Sequence, residues 1–310
     1  MNFSFLDKEK LNTGFGNDIS MVKTLDEALE VGGLNWSAEP RKLLYVGADG
    51  TSIPIPNMVA NVRVEDGRPL GIVSEKYRIC QNAEAFDFIE NLLMNNSIEP
   101  LRAGSFMGGR RVWLHAKITD SYSILGDVVD QYILFVNSHD GSTGIKILFT
   151  PVRLACSNAI NFAIHKAIRS WSAIHTGSIY DKLENAKQTL LRADTYMTQL
   201  KDEVEVLDKL LLTDTQVENI VAELFPASES EKTTMHAEEN RSNVIQIFNG
   251  KDDLQNMNKS GYRLLNAVSD YVTHSNPYRQ TKNYNERLFE KTYNGHPIID
   301  KAYSLIKAAA

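Results

Sequence analysis

Cysteine is scarce: Cys80 and Cys156 are the only two in 310 residues, and they lie far apart. That excludes a disulfide framework and a clustered thiolate zinc site, and two reduced, buried thiols are the expectation. Long apolar runs are missing too. No stretch approaches the ~20 residues of a membrane span, and Met1-Asn2-Phe3-Ser4 begins no signal peptide. No membrane partner is expected, and a cytoplasmic location is. The common catalytic signatures are also absent: there is no GxxxxGKS or GxxxxGKT loop, no GxGxxG after a strand, no HExxH and no Cys-x-x-Cys. Seven His residues are scattered without ligand spacing, so neither a metal nor a cofactor is expected.

What is present is ordinary for a soluble globular protein, 43% hydrophobic and 23% charged, with a net charge of −6. The segment 137–169, NSHDGSTGIKILFTPVRLACSNAINFAIHKAIR, organises the rest. Ser138-His139-Asp140-Gly141-Ser142 is a turn signal, because Asp supplies a short side-chain bond and Gly a positive φ. Ile145, Ile147 and Phe149 then alternate with Lys146 and Leu148, which predicts a strand with one apolar face. From Ser157, a plausible N-cap, Ile160, Ala163, Ile164, Ala167 and Ile168 recur at helical spacing.

The local charge of this segment opposes that of the chain. Between Gly141 and Tyr180 stand Lys146, Arg153, Lys166 and Arg169 with no Asp or Glu, a balance of +4. A polyanion is the partner this suggests; solvated cations, or pairing with acids elsewhere in the chain, is the plain alternative.

Upstream, Thr24 with Glu27 makes a capping box for a short helix stopped by Gly32-Gly33. Strands are predicted over 34–46, 53–64 and 70–79, with Ala48-Asp49-Gly50 as a hairpin turn and Pro54 and Pro56 keeping the second strand at an edge. A helix follows, capped by Asn82, with Ala85, Phe86, Ile89, Leu92 and Leu93 as its apolar stripe. In the run from Arg110 to Ile118, Val112, Leu114, Ala116 and Ile118 share one face, and Arg111, Trp113, His115 and Lys117 the other. The second face offers cations for phosphates and a ring on which a base could stack. Its plain reading is Trp113 packed inside and charges at the rim.

Beyond Tyr180 the composition turns helical. Leu183, Ala186, Leu190, Ala193, Met197, Leu200, Val204, Leu207 and Leu211 form a heptad seam, expected to pack against the chain itself, with self-association as the alternative. Thr213 and Gln216 form a second capping box. The polar run 227–243 reads as a loop, followed by a helix over 261–274 and a last one over 300–309. The expected fold is α+β: an antiparallel β-sheet with packed helices, spanning a core domain at 20–212, followed by an α-helical C-terminal region at 213–310.

Three ordered blocks, LGIVSEKYRICQNAEAFDFIENLL at 70–93, GGRRVWLHAKI at 108–118 and HDGSTGIKILFTPVRLACSNAINFAI at 139–164, resemble the phage and plasmid-like proteins of the domain-of-unknown-function family nine-three-two. The resemblance covers roughly residues 20–210, excludes the helical tail, and implies a mobile-element origin but no activity. At the level of architecture alone, three strands and a helix between 34 and 93 look like the core of Red-beta and Erf-type single-strand annealing proteins.

Three functions are therefore carried forward. The first is a phage or prophage protein that binds and anneals single-stranded DNA as a homo-oligomer, through Arg110, Arg111, Trp113, Lys117, Lys146, Arg153, Lys166 and Arg169. The second is an interaction protein that binds and neutralises a host defence protein. The third is an enzyme built on His139, Asp140 and Cys156, against which DGS is far commoner as a turn than as a nucleophile set.

Overall fold

The computed structural model describes residues 16–94, 97–150, 170–190, 193–227, 231–255, 257–274 and 296–309. Two antiparallel sheets carry the amino-terminal part. Strands β2 (Ala38–Val46), β3 (Ser52–Arg63) and β4 (Pro69–Ser74) form a three-stranded meander. The larger sheet runs β1 (Asn17–Asp18), β5 (Ile98–Phe106), β6 (Arg111–Ile124), β7 (Asp127–Ser138), β8 (Ile145–Thr150) and β9 (Ser170–Ala173), in that spatial order. Helices α1 (Leu25–Val31) and α2 (Asn82–Met94) pack on each other and on β5, and α3 (Ile179–Leu190) lies beside β9. Helices α4 (Ala193–Lys209), α5 (Asp214–Leu224), α6 (Glu231–Gly250), α7 (Asp252–Gln255), α8 (Gly261–His274) and α9 (Pro297–Ala308) complete the chain. The architecture is the expected α+β, with helices at the carboxyl end.

Alternation decides which side of the larger sheet meets the helices. Val112, Leu114 and Ala116 of β6, Ile133 and Phe135 of β7, and Ile145, Ile147 and Phe149 of β8 are all buried on one face. They belong to one apolar cluster with Phe86 of α2, the α4 seam and the buried residues of α5, α6, α8 and α9. Packing is thus continuous across position 212. Helix α8 is central to the helical part: Leu264, Leu265, Ala267 and Val268 are fully buried against α4, α6 and α9.

Local rules account for most helix ends. Thr213 Oγ1 accepts from Gln216 N at 3.2 Å while Gln216 Oε1 accepts from Thr213 N at 2.9 Å, the reciprocal box. At α1, Thr24 Oγ1 accepts from Glu27 N at 3.3 Å, but Glu27 returns its bond to Lys23 N rather than to Thr24. Asn82 is not the cap of α2. Its neighbour Gln81 stands there, its N–H bonded to Glu84 at 3.0 Å, and the Asn82 amide is used elsewhere.

Three further differences have physical causes. The polar run at 227–243 is largely helix, because Ala237, Val244 and Phe248 fall on one buried stripe of α6 that supports an otherwise polar sequence. The heptad seam buries Met197, Leu200, Val204 and Leu207 within this chain, but Leu211 lies beyond the end of α4 and is 66% exposed, and Leu212 is buried instead. The last helix starts at Pro297, a residue suited to a first turn, with the His296 ring accepting from Ile298 N.

The hairpin turn is as expected: Asp49 Oδ1 accepts from both N and Oγ1 of Thr51, with Gly50 at φ +83°. β4 pairs with β3 only from Met58 to Val62, so Ser52–Pro54 pairs with β2 alone and Ile55–Asn57 falls in the register shift, which suits the prolines at 54 and 56. A register shift between Lys42 and Leu44 and a positive φ of 61° at Asn57 mark the base of this projecting ribbon.

Because sheet and helical region share one core, Phe248→Ala should lower stability by about 3–5 kcal/mol, in a single urea transition followed alike by circular dichroism and Trp fluorescence. Two separated transitions would contradict the shared core.

Candidate functional site

The turn between β7 and β8, residues 139–144, sits where the two sheets meet. Its first residue, His139, is fully buried. His139 N donates to Arg110 O at 2.7 Å, its carbonyl accepts from Asn61 Nδ2 at 2.8 Å, and its Nε2 bonds Asn82 Oδ1 at 3.0 Å. Asn82 Nδ2 in turn donates to the carbonyls of Leu34 and Trp36 at 2.9 and 3.3 Å. The Trp36 ring lies 5.0 Å from the imidazole, and the Arg63 guanidinium stands over that ring at 4.9 Å. One histidine thus joins β3, α2, the approach to β2 and the corner before β6.

Burial is the first cause of its low pKa, about 4; the nearby His175 adds to the effect and Asp140 opposes it. His175 is itself lowered by burial, and lies stacked on Tyr77 at 4.6 Å. Tyr77 donates to Ser138 O at 2.6 Å, and its phenol is raised by burial. Cys80 is fully buried, and its thiol is pushed up to about 12 by desolvation, which makes it inert.

The rest of the turn faces outward. Asp140 Oδ1 accepts from Ser142 N at 2.9 Å and also from Ser142 Oγ, with Gly141 at φ +73°, a turn closed by its own side chains. Ser142 Oγ accepts from Arg111 Nε at 3.0 Å. Gly71 of β4 lies beneath Asp140: a Cβ there would stand 2.4 Å from Asp140 Cα, so the turn rests directly on the smaller sheet. Asp140 and Ser142 do not line a nucleophile site with His139, whose ring points into the joint.

The cations divide into three groups. Arg111 opens β6 opposite Ser138, and Lys146 stands on β8 opposite Val136, which is itself opposite Trp113. Arg111 and Lys146 therefore share the sheet face that turns away from the helices. They are close enough that Arg111, after burial, lowers the Lys146 pKa. Arg110 is exposed at the same corner. Lys117, by contrast, forms an ion pair with Asp130 at 2.9 Å, so it is held by a carboxylate of the next strand. Arg153, Lys166 and Arg169, with Cys156 and the helix expected from Ser157, lie outside the described residues.

Trp113 corrects the stacking expectation. It is 1% exposed, packed with Leu134, Val136, Leu148 and Phe106 in a second apolar cluster, and the backbone of Gly16 lies against its ring. The same alternation that put Trp113 opposite the helix-facing residues gave it a core of its own, and no base can reach it.

Sequence reasoning missed the joint. Asn82 looked like a helix cap, and Asn61 and Tyr77 carried no motif; the one signal was the His-Asp-Gly turn following an apolar strand. Among the described residues no cluster of three or more His, Cys, Asp or Glu is placed to hold a metal, and no helix is long and apolar enough to cross a membrane.

These features define an α+β protein with a buried polar joint and a cationic corner. A family model, Domain of unknown function (DUF932), matches residues 69–292, and the chain belongs to that family. The match contains all three sequence blocks and runs across position 212 into the helical region. No curated protein and no solved structure matches the chain.

The neutral His139 makes folding sensitive to acid. Its folded pKa lies below the unfolded 6.5, so the stability it confers is complete above that pH and is lost as pH falls toward 4, by about 3 kcal/mol. Urea unfolding between pH 7.5 and 4 should show this loss in the wild type and a flatter profile in His139→Gln; parallel profiles would refute it.

Proposed function

We propose that this protein binds and anneals single-stranded DNA as a homo-oligomer of phage or prophage origin, in the host cytoplasm and without a cofactor. The observation that carries the reading is the gathering of Arg110, Arg111 and Lys146 at one corner of an acidic chain. Arg111 and Lys146 share one face of the larger sheet, close enough for the Arg111 charge to act on Lys146 beside the larger effect of burial, and a phosphate set against the pair would gain from both charges. Arg153, Lys166 and Arg169, which follow β8 in the chain, complete the proposed contact set. Lys117 and Trp113 leave it, the first neutralised by Asp130 and the second enclosed. The order strand, strand, strand, helix is present at 38–94, with the helix packed chiefly on β5 and α1. Phosphate contacts alone carry no sequence preference, which suits annealing of arbitrary strands.

A second reading, binding to a host defence protein, has one observation in its favour. The ribbon end formed by β2 and β3 exposes Leu44, Tyr45, Val46, Ile53 and Ile55 over both faces, with Asp49 the only charge between Leu43 and Met58. Apolar side chains displayed on both sides of two strands fit a protein partner better than a phosphate backbone.

Fluorescence anisotropy with a labelled oligo-dT separates the two readings. Three or more phosphate contacts predict a log K against log salt slope of about −2 or steeper, reduced in magnitude by about 1.4 in Arg111→Ala/Lys146→Ala. Affinity indifferent to salt, or no binding at low salt, would reject the DNA reading. A host protein retained by wild type and lost by Leu44→Asp/Ile53→Asp would favour the second.

A further inference from the structure

We infer that the β2–β3 ribbon is the surface through which two copies of this chain dock, one ribbon lying face to face and antiparallel on the other; this rests on the homo-oligomer part of the reading above and names its contact. Two strands with water on both sides are marginal by themselves, and β4 reaches β3 only from Met58 onward. The ribbon end nonetheless holds its apolar side chains in the open. Its composition is that of a surface made to be covered.

Alternation along β2 chooses the face. The register shift falls in β3, where Ile55–Met58 stand opposite the single residue Leu43, so β2 itself keeps its period. Lys42, Leu44 and Val46 therefore share one side, with Pro54 beside Leu44 and Ser52 beside Val46, while Tyr45 shares the other side with Ile53. Leu44 and Val46 are 55% and 73% exposed, against 51% for Tyr45 and 37% for Ile53. The first side is the barer, and Tyr45 on the second carries a hydroxyl suited to water.

Charge sets the occupant and its direction. Between Leu43 and Met58 the one charge is Asp49, exposed at the tip, where its carboxylate accepts from Thr51 N and Oγ1. At the base of the chosen side stands Lys42, exposed and outside any ion pair among the described residues; its neighbour Arg41 is held by Glu39 at 2.6 Å. From Lys42 to Val46 is about 13 Å of strand, with the tip just beyond. Laid antiparallel, two ribbons interleave Leu44 and Val46 at the centre and bring the tip carboxylate of each copy to the base lysine of the other, twice about one two-fold axis. Laid parallel, they would set Asp49 on Asp49 and Lys42 on Lys42, so only the antiparallel arrangement is self-complementary. Stable interfaces clear about 1,000 Å²; a contact only two strands wide is therefore a reversible one that depends on concentration.

The test is sedimentation equilibrium of the purified full chain over a concentration series. The wild type should reach twice the monomer mass reversibly. Leu44→Ser/Val46→Ser should weaken association about 10-fold or more, and Tyr45→Ser, on the other side, should leave it unchanged; the thermal midpoint checks that each variant is folded. Lys42→Glu, which would set a carboxylate against Asp49 of the other copy, should weaken association about 10-fold. Asp49→Asn, which keeps the oxygen that Thr51 bonds, should cost about 2- to 5-fold alone, yet should tighten the dimer when added to Lys42→Glu. That reversal of sign is one that a purely structural role for either residue does not produce. Association that survives Leu44→Ser/Val46→Ser, or an Asp49→Asn change that weakens it in both backgrounds, would overturn the ribbon contact while homo-oligomerisation and DNA binding stand. A wild type that stays monomeric at every concentration would overturn the contact and the homo-oligomer together, with oligonucleotide binding judged by its own measurement.

Discussion

Placing an uncharged imidazole inside the protein constrains everything around it. Burying a polar ring is costly, and His139 offsets part of that cost through bonds to three separate parts of the chain by its amide, its carbonyl and its Nε2, while its Nδ1 is buried without a partner. Asn82 extends the network to the carbonyls of Leu34 and Trp36, and Gln81 beside it makes two bonds to the backbone of Ala38, at 2.9 and 2.7 Å. The smaller sheet is thereby attached to the larger one by directional contacts in addition to apolar burial. Hydrophobic packing tolerates sliding; this network fixes the relative position of the two sheets.

The cationic corner follows from that position. The turn that begins with the buried histidine carries Ser142, whose hydroxyl accepts from Arg111 Nε, and only two residues lie between the neutral interior and that contact. Elsewhere on the same sheet face the cations and rings are consumed internally: Lys117 by Asp130, His115 by stacking on Tyr132 at 5.3 Å, and Trp113 by its apolar neighbours. Alternation along a strand says which residues share a face, but burial of that face depends on what the rest of the chain lays over it.

The sequence was legible where a physical rule is local. Apolar runs between turn signals placed strands at 34–46, 53–64 and 70–79, near the observed 38–46, 52–63 and 69–74 though the third stops at Ser74, while alternation located the strand at 145–150 and three-four spacing the helix Gly261–His274 and the inward seam of α4. The Thr213 capping box and the Asp49-Gly50 turn are likewise short-range chemistry. Illegible were features decided at a distance. Residues 231–243 have too few apolar positions to announce a helix, and become one because α5 and α8 supply the surface for its stripe. Asn82 had a good local use as a cap, and a tertiary demand overrode it. The closeness of Arg111 and Lys146 could be guessed from their shared charge, but the hydroxyl between Arg111 and Asp140 could not, since it depends on the β6–β7 register that brings Arg111 opposite Ser138.

The projecting ribbon of β2 and β3 carries a safeguard in its composition. Sticky side chains on a narrow pair of strands normally invite runaway stacking, one molecule's border recruiting the next. Prolines at 54 and 56 take two N–H groups out of that ribbon, and the kink at Asn57 bends it away from the flat geometry a growing fibril needs. The ribbon can therefore display grease to a visitor while withholding the backbone ladder that would turn a visit into an aggregate.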